Sequence, residues 1–311
     1  LTVCDDETDS SRILDVPATD VTVLPEEEIY NIYSSSKLIT CVAAMQLWEK
    51  GLFDLEDELC KYMPEFTDMK VKDSNGNVYP AKNKIKIKHL FTMSAGFHYD
   101  VNCESIKEAY RQTNGRCQTR EVMKYLAKEY LEFEPGEKFL YINENIFMLS
   151  AVINRVTGMS MREYLTPRLF EPLGIDFPFW ETDRNGVEAG GWGLYIKTED
   201  IAKLTLCYLQ NGMYNGVQVI PEEWAIEATK KQIDNEYNRP GTDASCGYGY
   251  CFWKNSIELQ KSPNKRKCNP RSKHIVFVFP LIFPIGAHAL VTEYSIGFIQ
   301  CKERTGSYCN N

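Results

Sequence analysis

The stretch from Tyr30 to Gly51 reads YNIYSSSKLITCVAAMQLWEKG and decides the fold of this chain. From Leu38 onward its apolar residues recur at helical spacing, and Gly51 stands where a glycine commonly ends a helix. A run this apolar predicts a helix in the core, and Ser34 lies directly before it. We therefore predict a serine at the N-terminal end of a buried helix, where the helix dipole stabilises developing negative charge.

Ser34 and Lys37 form a Ser-x-x-Lys pair, in which the second residue lies over the same helix face as the first. A partly desolvated lysine can lose its proton and accept one from the serine. The tetrapeptide alone is also typical of a plain helix cap, and Ser262 to Lys265 repeats it. Only Ser34 precedes an apolar helix, so we predict Ser34 as a nucleophile and Lys37 as its base.

Tyr141 and Asn143 form a second element, Tyr-x-Asn. A tyrosine beside a lysine ammonium ionises more easily, and it could relay a proton between Ser34 and a leaving group. Asn143 could donate a hydrogen bond to a substrate carbonyl. The plainer interpretation is a loop tyrosine followed by a helix-capping asparagine, and Tyr308 to Asn310 matches the pattern as well.

Further segments accompany these two elements in a fixed order along the chain. They are KIKHLFTMSAG at 86–96, FEPGEKF at 133–139, VTGMS at 156–160, GGWGL at 190–194, IPEEW at 220–224 and GYGY at 247–250. In this order and at this spacing, over about residues 28–255, they resemble the β-lactamase and penicillin-binding-protein superfamily. The resemblance is to its class C and esterase-like branch, in which Tyr-x-Asn replaces Ser-Asp-Asn.

The resemblance implies an α+β fold with an antiparallel sheet built from both chain ends and flanked by helices. Residues 1–51 and 190–311 would form the sheet region with the nucleophile helix, and residues 52–189 a mainly helical region. It also implies an acyl-enzyme on Ser34 formed with an ester, a β-lactam or a peptide-like amide. Lys37 and Tyr141 would be the general-base pair and Asn143 would orient the substrate, with no metal or organic cofactor.

One family element has no counterpart at the expected place. A Lys or His followed two residues later by Gly should stand shortly after Gly247 to Tyr250, and none does. Arg304-Thr-Gly306 resembles it but lies five residues from the chain end. Few residues precede Ser34, so we expect a fold incomplete at both termini. The alternative function is a catalytically impaired member, acting as a binding scaffold or as a penicillin-binding sensor that acylates without deacylating.

Charge and cysteine content restrict the partners. The 311 residues carry a net charge of −8, which argues against a nucleic-acid partner. Residues 259–311 differ, with eight Lys or Arg against two Glu, and we interpret them as an atypical basic tail. Prolines and a glycine interrupt the longest uncharged run, so we predict no membrane span.

The 11 cysteines lack disulfide-like spacing, which favours reduced thiols and a cytoplasmic location. The oligomeric state is not readable.

Overall fold

The computed structural model describes residues 29–98, 126–176, 178–182, 186–235 and 246–254, and the backbone of four strands at 2–4, 13–15, 287–292 and 295–300. Within these residues the chain combines α-helices with antiparallel strand pairs, as the α+β prediction requires. The sequence also predicts strands at 20–23 and 275–279, where apolar and β-branched residues cluster. These two stretches lie outside the described residues, as do the basic residues 259–273, the Arg304-Thr-Gly306 triplet and Ser262.

A three-stranded antiparallel sheet holds the residues that directly precede Ser34. Its strands are β3 (Tyr30–Asn31), β6 (Phe179–Trp180) and β7 (Leu194–Ile196), in the order β3-β7-β6. Tyr30 pairs with Ile196, and the amide of Ile32 donates to the Leu194 carbonyl at 2.9 Å. The sheet therefore joins residues more than 160 positions apart and fixes where the next helix begins.

Antiparallel hairpins account for the other strands of the described residues. They are β1 (Thr2–Cys4) with β2 (Ile13–Asp15), β4 (Lys70–Lys72) with β5 (Val78–Pro80), β8 (Met213–Tyr214) with β9 (Val217–Gln218), and β10 (Ala287–Thr292) with β11 (Ser295–Gln300). The β8–β9 pair confirms the hairpin expected from the Asn-Gly dipeptides at 211–212 and 215–216.

The helix α1 (Ser36–Glu49) is the centre of the core. Every residue from Ser36 to Leu47 is buried, so the helix is enclosed on all sides rather than packed by one face. The chain leaves it through Gly51, whose φ of +67° is open to glycine at little cost. Truncating a fully buried residue such as Leu47 to alanine is expected to cost about 2–5 kcal/mol.

The helix α3 (Asn143–Thr157) packs against α1 and ends at Gly158, which has a φ of +69°. Its residues from Asn145 to Ile153 are all buried. The strongly apolar run from Asn145 to Val156, followed by Gly158, predicts this helix with nearly the same bounds. The remaining helices are α2 (Ile87–Phe91), α4 (Met161–Leu165), a π-helical turn (Thr166–Phe170), α5 (Glu171–Leu173), α6 (Thr198–Leu209) and α7 (Glu222–Thr229).

Two predicted elements differ from the structure. The aromatic-rich stretch at 248–253 predicts a strand. In the structure Tyr248 bridges to Trp253 and Cys251 has a φ of +65°, so the segment folds back on itself. The pattern at 119–131 predicts a helix, but within its described part, 126–131, the residues after Leu126 are not helical and Leu131 makes a bridge to Val71. In both places pairing with a residue outside the segment, Ile233 with Tyr248 and Val71 with Leu131, overrides local propensity.

One hydrophobic core runs through both regions that the sequence distinguished. It contains Val42 of α1, Phe97, Leu149 of α3, Leu204 of α6 and Phe252. The predicted boundary between a sheet region and a helical region therefore stays a prediction. No helix in the described part of the chain is long and apolar enough to cross a membrane.

Candidate functional site

Ser34 lies in a 3-10 turn (Tyr33–Ser35) between β3 and α1. Ser35 is the N-cap of α1, so Ser34 precedes the helix by two residues. Its side chain is partly exposed, whereas the residues that follow are buried. Ser34 is thus the last accessible hydroxyl before the chain enters the core.

The turn at Ser34 is held in an uncommon backbone conformation. Tyr33 has a φ of +46°, which costs a residue with a side chain of the order of 1–3 kcal/mol. Side chains on both sides hold it there. The Tyr33 amide donates to Asn31 Oδ1 at 2.8 Å, and Ser36 Oγ donates to the Tyr33 carbonyl at 2.6 Å. These two hydrogen bonds fix the turn and thereby position the hydroxyl of Ser34.

The Lys37 ammonium group makes three hydrogen bonds. Nζ lies 3.0 Å from Ser34 Oγ, 2.7 Å from Asn143 Oδ1 and 2.8 Å from the Gly191 carbonyl oxygen. The side chain is 2% exposed. Three elements therefore meet at one buried nitrogen: the start of α1, the start of α3 and the loop before β7.

Burial lowers the pKa of Lys37. The pKa of Lys37 falls from 10.5 to about 7, chiefly because burial disfavours the charged form, while the neighbouring Cys251 sulfur and the Glu144 carboxyl oppose the fall. A lysine with a pKa near 7 is a free base in a large fraction of molecules at neutral pH. The sequence-based expectation of a partly desolvated lysine agrees with this direction.

Tyr141 contacts both members of the Ser-x-x-Lys pair. Its hydroxyl lies close enough to the Ser34 side chain for that side chain to lower the pKa of the phenol, and Lys37 Nζ lies 5.1 Å from the centre of its ring. The ring packs on Trp253 at 5.3 Å between centroids and on Tyr248 at 6.3 Å. An aromatic cluster thus fixes the direction in which the phenol points.

The expectation that Tyr141 ionises more easily beside Lys37 is wrong. Burial raises the pKa of the Tyr141 phenol far above its ordinary value, and the neighbouring Ser34 side chain offsets only part of this. Tyr141 is therefore a neutral phenol at physiological pH. It can donate one hydrogen bond and accept another, as a neutral relay does.

Asn143 begins α3, and its carboxamide oxygen is turned toward Lys37. With Oδ1 committed to the lysine, the amide NH₂ is the part of Asn143 that could face a substrate carbonyl. Gly191 lies so close that a Cβ added there would sit 3.3 Å from Asn143 Oδ1. The neighbouring Gly190 carbonyl accepts a hydrogen bond from Thr40 Oγ1 at 2.8 Å. The glycine pair lets the loop approach both helices.

The structure thus brings Ser34, Lys37, Tyr141 and Asn143 together, although they come from two segments more than 100 residues apart. Sequence reasoning missed three neighbours: Gly191, Glu144 and Trp253. The Gly-Gly pair at 190–191 was a usable signal, because two glycines before a strand mark a close backbone approach. Glu144 carried no comparable signal.

The described residues offer no arrangement of three or more His, Cys, Asp or Glu side chains able to hold a metal ion. His89 is a buried helix residue, as predicted. Its Nδ1 accepts the Lys86 amide at 3.1 Å, and burial lowers its pKa to about 4. Cys41, Cys207 and Cys251 are buried free thiols.

Comparison with known proteins identifies the family. The family model described as Beta-lactamase matches residues 19–260, which is more than half of the chain. The chain belongs to the Beta-lactamase family. The β-lactamase-related and penicillin-binding-protein resemblance drawn from the motifs is thereby confirmed, and the family is one of the serine-hydrolase kind.

Curated relatives of this Beta-lactamase family member carry the names of enzymes. A lovastatin esterase from Penicillium rubens is 30% identical over 174 residues, covering 52% of this chain and 42% of the esterase. A putative D-alanyl-D-alanine carboxypeptidase from Salmonella agona is 24% identical over 268 residues, covering 71% of this chain and 58% of the relative. The chain therefore spans about half the length of these relatives.

Solved structures confirm the fold. The structure of EstCE1, a hydrolase with promiscuous acyltransferase activity, superposes with a TM-score of 0.60. The match covers 77% of this chain and 73% of EstCE1 at 18% sequence identity. At that identity the similarity shows the shared β-lactamase-type fold alone.

Proposed function

We propose that this chain is a serine hydrolase that forms an acyl-enzyme on Ser34 with ester or amide carbonyl compounds. The observation that carries the proposal is the set of three contacts at Lys37 Nζ. An amine without its extra proton has two N–H donors and one lone pair. Asn143 Oδ1 and the Gly191 carbonyl can only accept, so they take the two N–H groups. The lone pair then faces Ser34.

The first chemical step follows from this geometry. Ser34 Oγ transfers its proton to Lys37 Nζ and bonds to the carbonyl carbon of the substrate, while the carbonyl π electrons move onto oxygen. Backbone N–H groups near the N-terminus of α1, including that of Ser34, would stabilise the oxyanion. The 3.0 Å separation of Nζ and Oγ is within the range for direct proton transfer.

Collapse of the tetrahedral intermediate breaks the bond to the leaving group. The leaving oxygen or nitrogen needs a proton, and the Lys37 ammonium now holds one. Tyr141 lies beside Ser34 and its ring lies against Lys37, so it could pass that proton to the leaving group as a neutral phenol. Water then attacks the acyl-enzyme, with the same base accepting its proton. Ser34 is regenerated with release of the acid.

We propose the candidate substrate classes from the similar proteins. The names of the two curated relatives concern an ester and a peptide-like amide, so both classes are candidate substrates for this chain. Asn143 would orient either class, because its NH₂ group can donate to any substrate carbonyl.

Ser34→Ala tests the nucleophile, with Ser262→Ala as the control from the second Ser-x-x-Lys match. We expect a fluorophosphonate probe to label wild type and the Ser262 variant, and peptide mapping to place the adduct on Ser34. We also expect both proteins to hydrolyse a nitrophenyl ester, and Ser34→Ala to do neither. Labelling of Ser34→Ala at the wild-type rate would contradict the assignment.

The same assay separates the alternatives. Stoichiometric labelling by a fluorescent penicillin without ester turnover would identify a sensor that acylates and does not deacylate. Absence of both labelling and turnover in folded wild type would identify a binding scaffold. Either result overturns the proposed hydrolase.

A further inference from the structure

Glu144 follows Asn143 directly and stands in the first turn of α3. Its Oε2 atom is buried and, among the described residues, has no hydrogen-bond partner. Burying a carboxylate oxygen without a partner is costly, so such an atom calls for an explanation. The helix N-terminus favours a negative charge here, but it does not require one next to the lysine.

The carboxyl of Glu144 and the ammonium of Lys37 act on each other. The negative charge of Glu144 favours the protonated form of Lys37, and the positive charge of Lys37 favours the ionised form of Glu144. Burial has the opposite effect on both groups and raises the pKa of Glu144. Each group is therefore balanced between its own desolvation and the charge of the other.

The other groups around Lys37 are few. The segment 246–254 contributes the Cys251 thiol, and the Tyr141 ring lies 5.1 Å from Nζ. The loop before β7 contributes the Gly191 carbonyl, which does not titrate. Among the described residues, Glu144 is the carboxylate whose charge bears on Lys37.

We propose that Glu144 is a positioning residue that sets the pH at which Lys37 becomes a free base. This rests on the proposed function, in which Lys37 takes the proton of Ser34. While Glu144 is ionised, Lys37 stays protonated up to a higher pH. With a neutral side chain at position 144, Lys37 loses its proton at a lower pH. The identity of residue 144 therefore decides over which pH range the nucleophile can be activated.

The test compares wild type with Glu144→Gln, which removes the charge and keeps the shape, and with Glu144→Asp, which keeps the charge. Glu137→Gln is the matched control, because Glu137 is an exposed carboxylate in the turn before Tyr141. The first readout is an NMR titration of isotope-labelled lysine side chains, with the Lys37 signal assigned by its loss in Lys37→Met. The second readout is the pH profile of nitrophenyl-ester hydrolysis.

In Glu144→Gln we expect the Lys37 midpoint and the acid limb of the profile to move together to lower pH by roughly half a unit or more. Glu144→Asp should move them less, and Glu137→Gln should leave both in place. An unchanged Lys37 midpoint in Glu144→Gln, or an equal shift in Glu137→Gln, would overturn the proposal. A fall in turnover without a pH shift would also overturn it, since that indicates packing alone.

The two readouts separate this inference from the proposed hydrolase. If the Lys37 midpoint shifts as expected but no variant turns over ester, Glu144 still controls Lys37 and the hydrolase proposal is the one that fails. If ester turnover is present but its acid limb ignores residue 144, the inference about Glu144 fails and the hydrolase stands.

Discussion

The carboxamide oxygen of Asn143 lies 2.7 Å from the ammonium nitrogen of Lys37, across 106 positions of sequence. This hydrogen bond joins the first residue of α3 to the first turn of α1. It uses one of the donors of a lysine that is almost completely buried. The acceptor is neutral, so it orients Lys37 without adding a charge that would hold the proton on it.

Replacing that neutral acceptor by a charged one should shift the pH profile upward. In Asn143→Asp a carboxylate would contact Lys37 directly and stabilise the ammonium form. We expect the acid limb of ester hydrolysis to move to higher pH and turnover at pH 7 to fall roughly tenfold or more. The pH profile of nitrophenyl-ester hydrolysis checks this. Asn154→Asp, farther along α3, is the control and should show a wild-type profile.

The folded state should become more stable as the pH rises from 7 toward 10, because of Lys37. The pKa of Lys37 is about 7 in the folded chain and near its ordinary value of 10.5 when unfolded. Between these values the unfolded state binds one more proton, so raising the pH favours folding, by up to about 4 kcal/mol.

Urea denaturation of wild type and Lys37→Met at several pH values measures this contribution. The difference in unfolding free energy between them should change with pH across the window, since methionine cannot titrate. A difference that stays constant from pH 7 to pH 10 would contradict a lysine with a lowered pKa.

Adding a methyl group at Gly191 should impair activity more than stability. A Cβ there would lie 3.3 Å from Asn143 Oδ1, so the acceptor of Lys37 must shift by a few tenths of an ångström. We expect Gly191→Ala to lose about tenfold in turnover, because small displacements in a reacting group are costly. Ester kinetics and thermal unfolding, measured together, check it.

Gly76→Ala provides the opposite pattern. Gly76 has a φ of +83° and nothing within 4 Å of an added Cβ, so alanine there is strained but touches no neighbour. We expect it to lose about 1 kcal/mol of unfolding free energy with unchanged turnover. Equal effects of the two substitutions on turnover would show that the close approach of Gly191 to Asn143 does not matter to activity.

Trp253 should matter to activity through Tyr141. Its ring packs on that of Tyr141 at 5.3 Å and an interplanar angle of 37°. Trp253→Ala would leave Tyr141 without this support, and we expect turnover to fall about tenfold. This is less than the roughly 10²–10⁴-fold effect typical of losing a general acid–base group, because the phenol itself remains. Trp253→Phe keeps an aromatic surface and should recover most of the activity. Failure of phenylalanine to do better than alanine would show that the ring contact is not what positions Tyr141.

Several features of the fold could be predicted from local pattern. The bounds of α1 and α3 follow from apolar periodicity and from glycines with positive φ at Gly51 and Gly158. Most residues of these two helices are buried, so their apolar pattern identifies them. The segment 248–253 could not be predicted, because its shape depends on long-range contacts and on a left-handed Cys251.

The sequence by itself determined which residue types are available for chemistry: a serine before a buried helix, a lysine three positions later, and a Tyr-x-Asn element at the start of a second helix. It also determined the family, through motifs in order along the chain. The roles proposed for Ser34, Lys37, Tyr141 and Asn143 remain predictions for the experiments above.

Only the tertiary structure decided the protonation states of Lys37 and Tyr141. Whether Lys37 holds it depends on how much water burial removes and on the charge of Glu144. Whether Tyr141 is a phenol or a phenolate depends on the depth at which its oxygen lies. Desolvation and Coulomb interactions depend on distances between atoms far apart in sequence, and no local pattern of residues contains those distances.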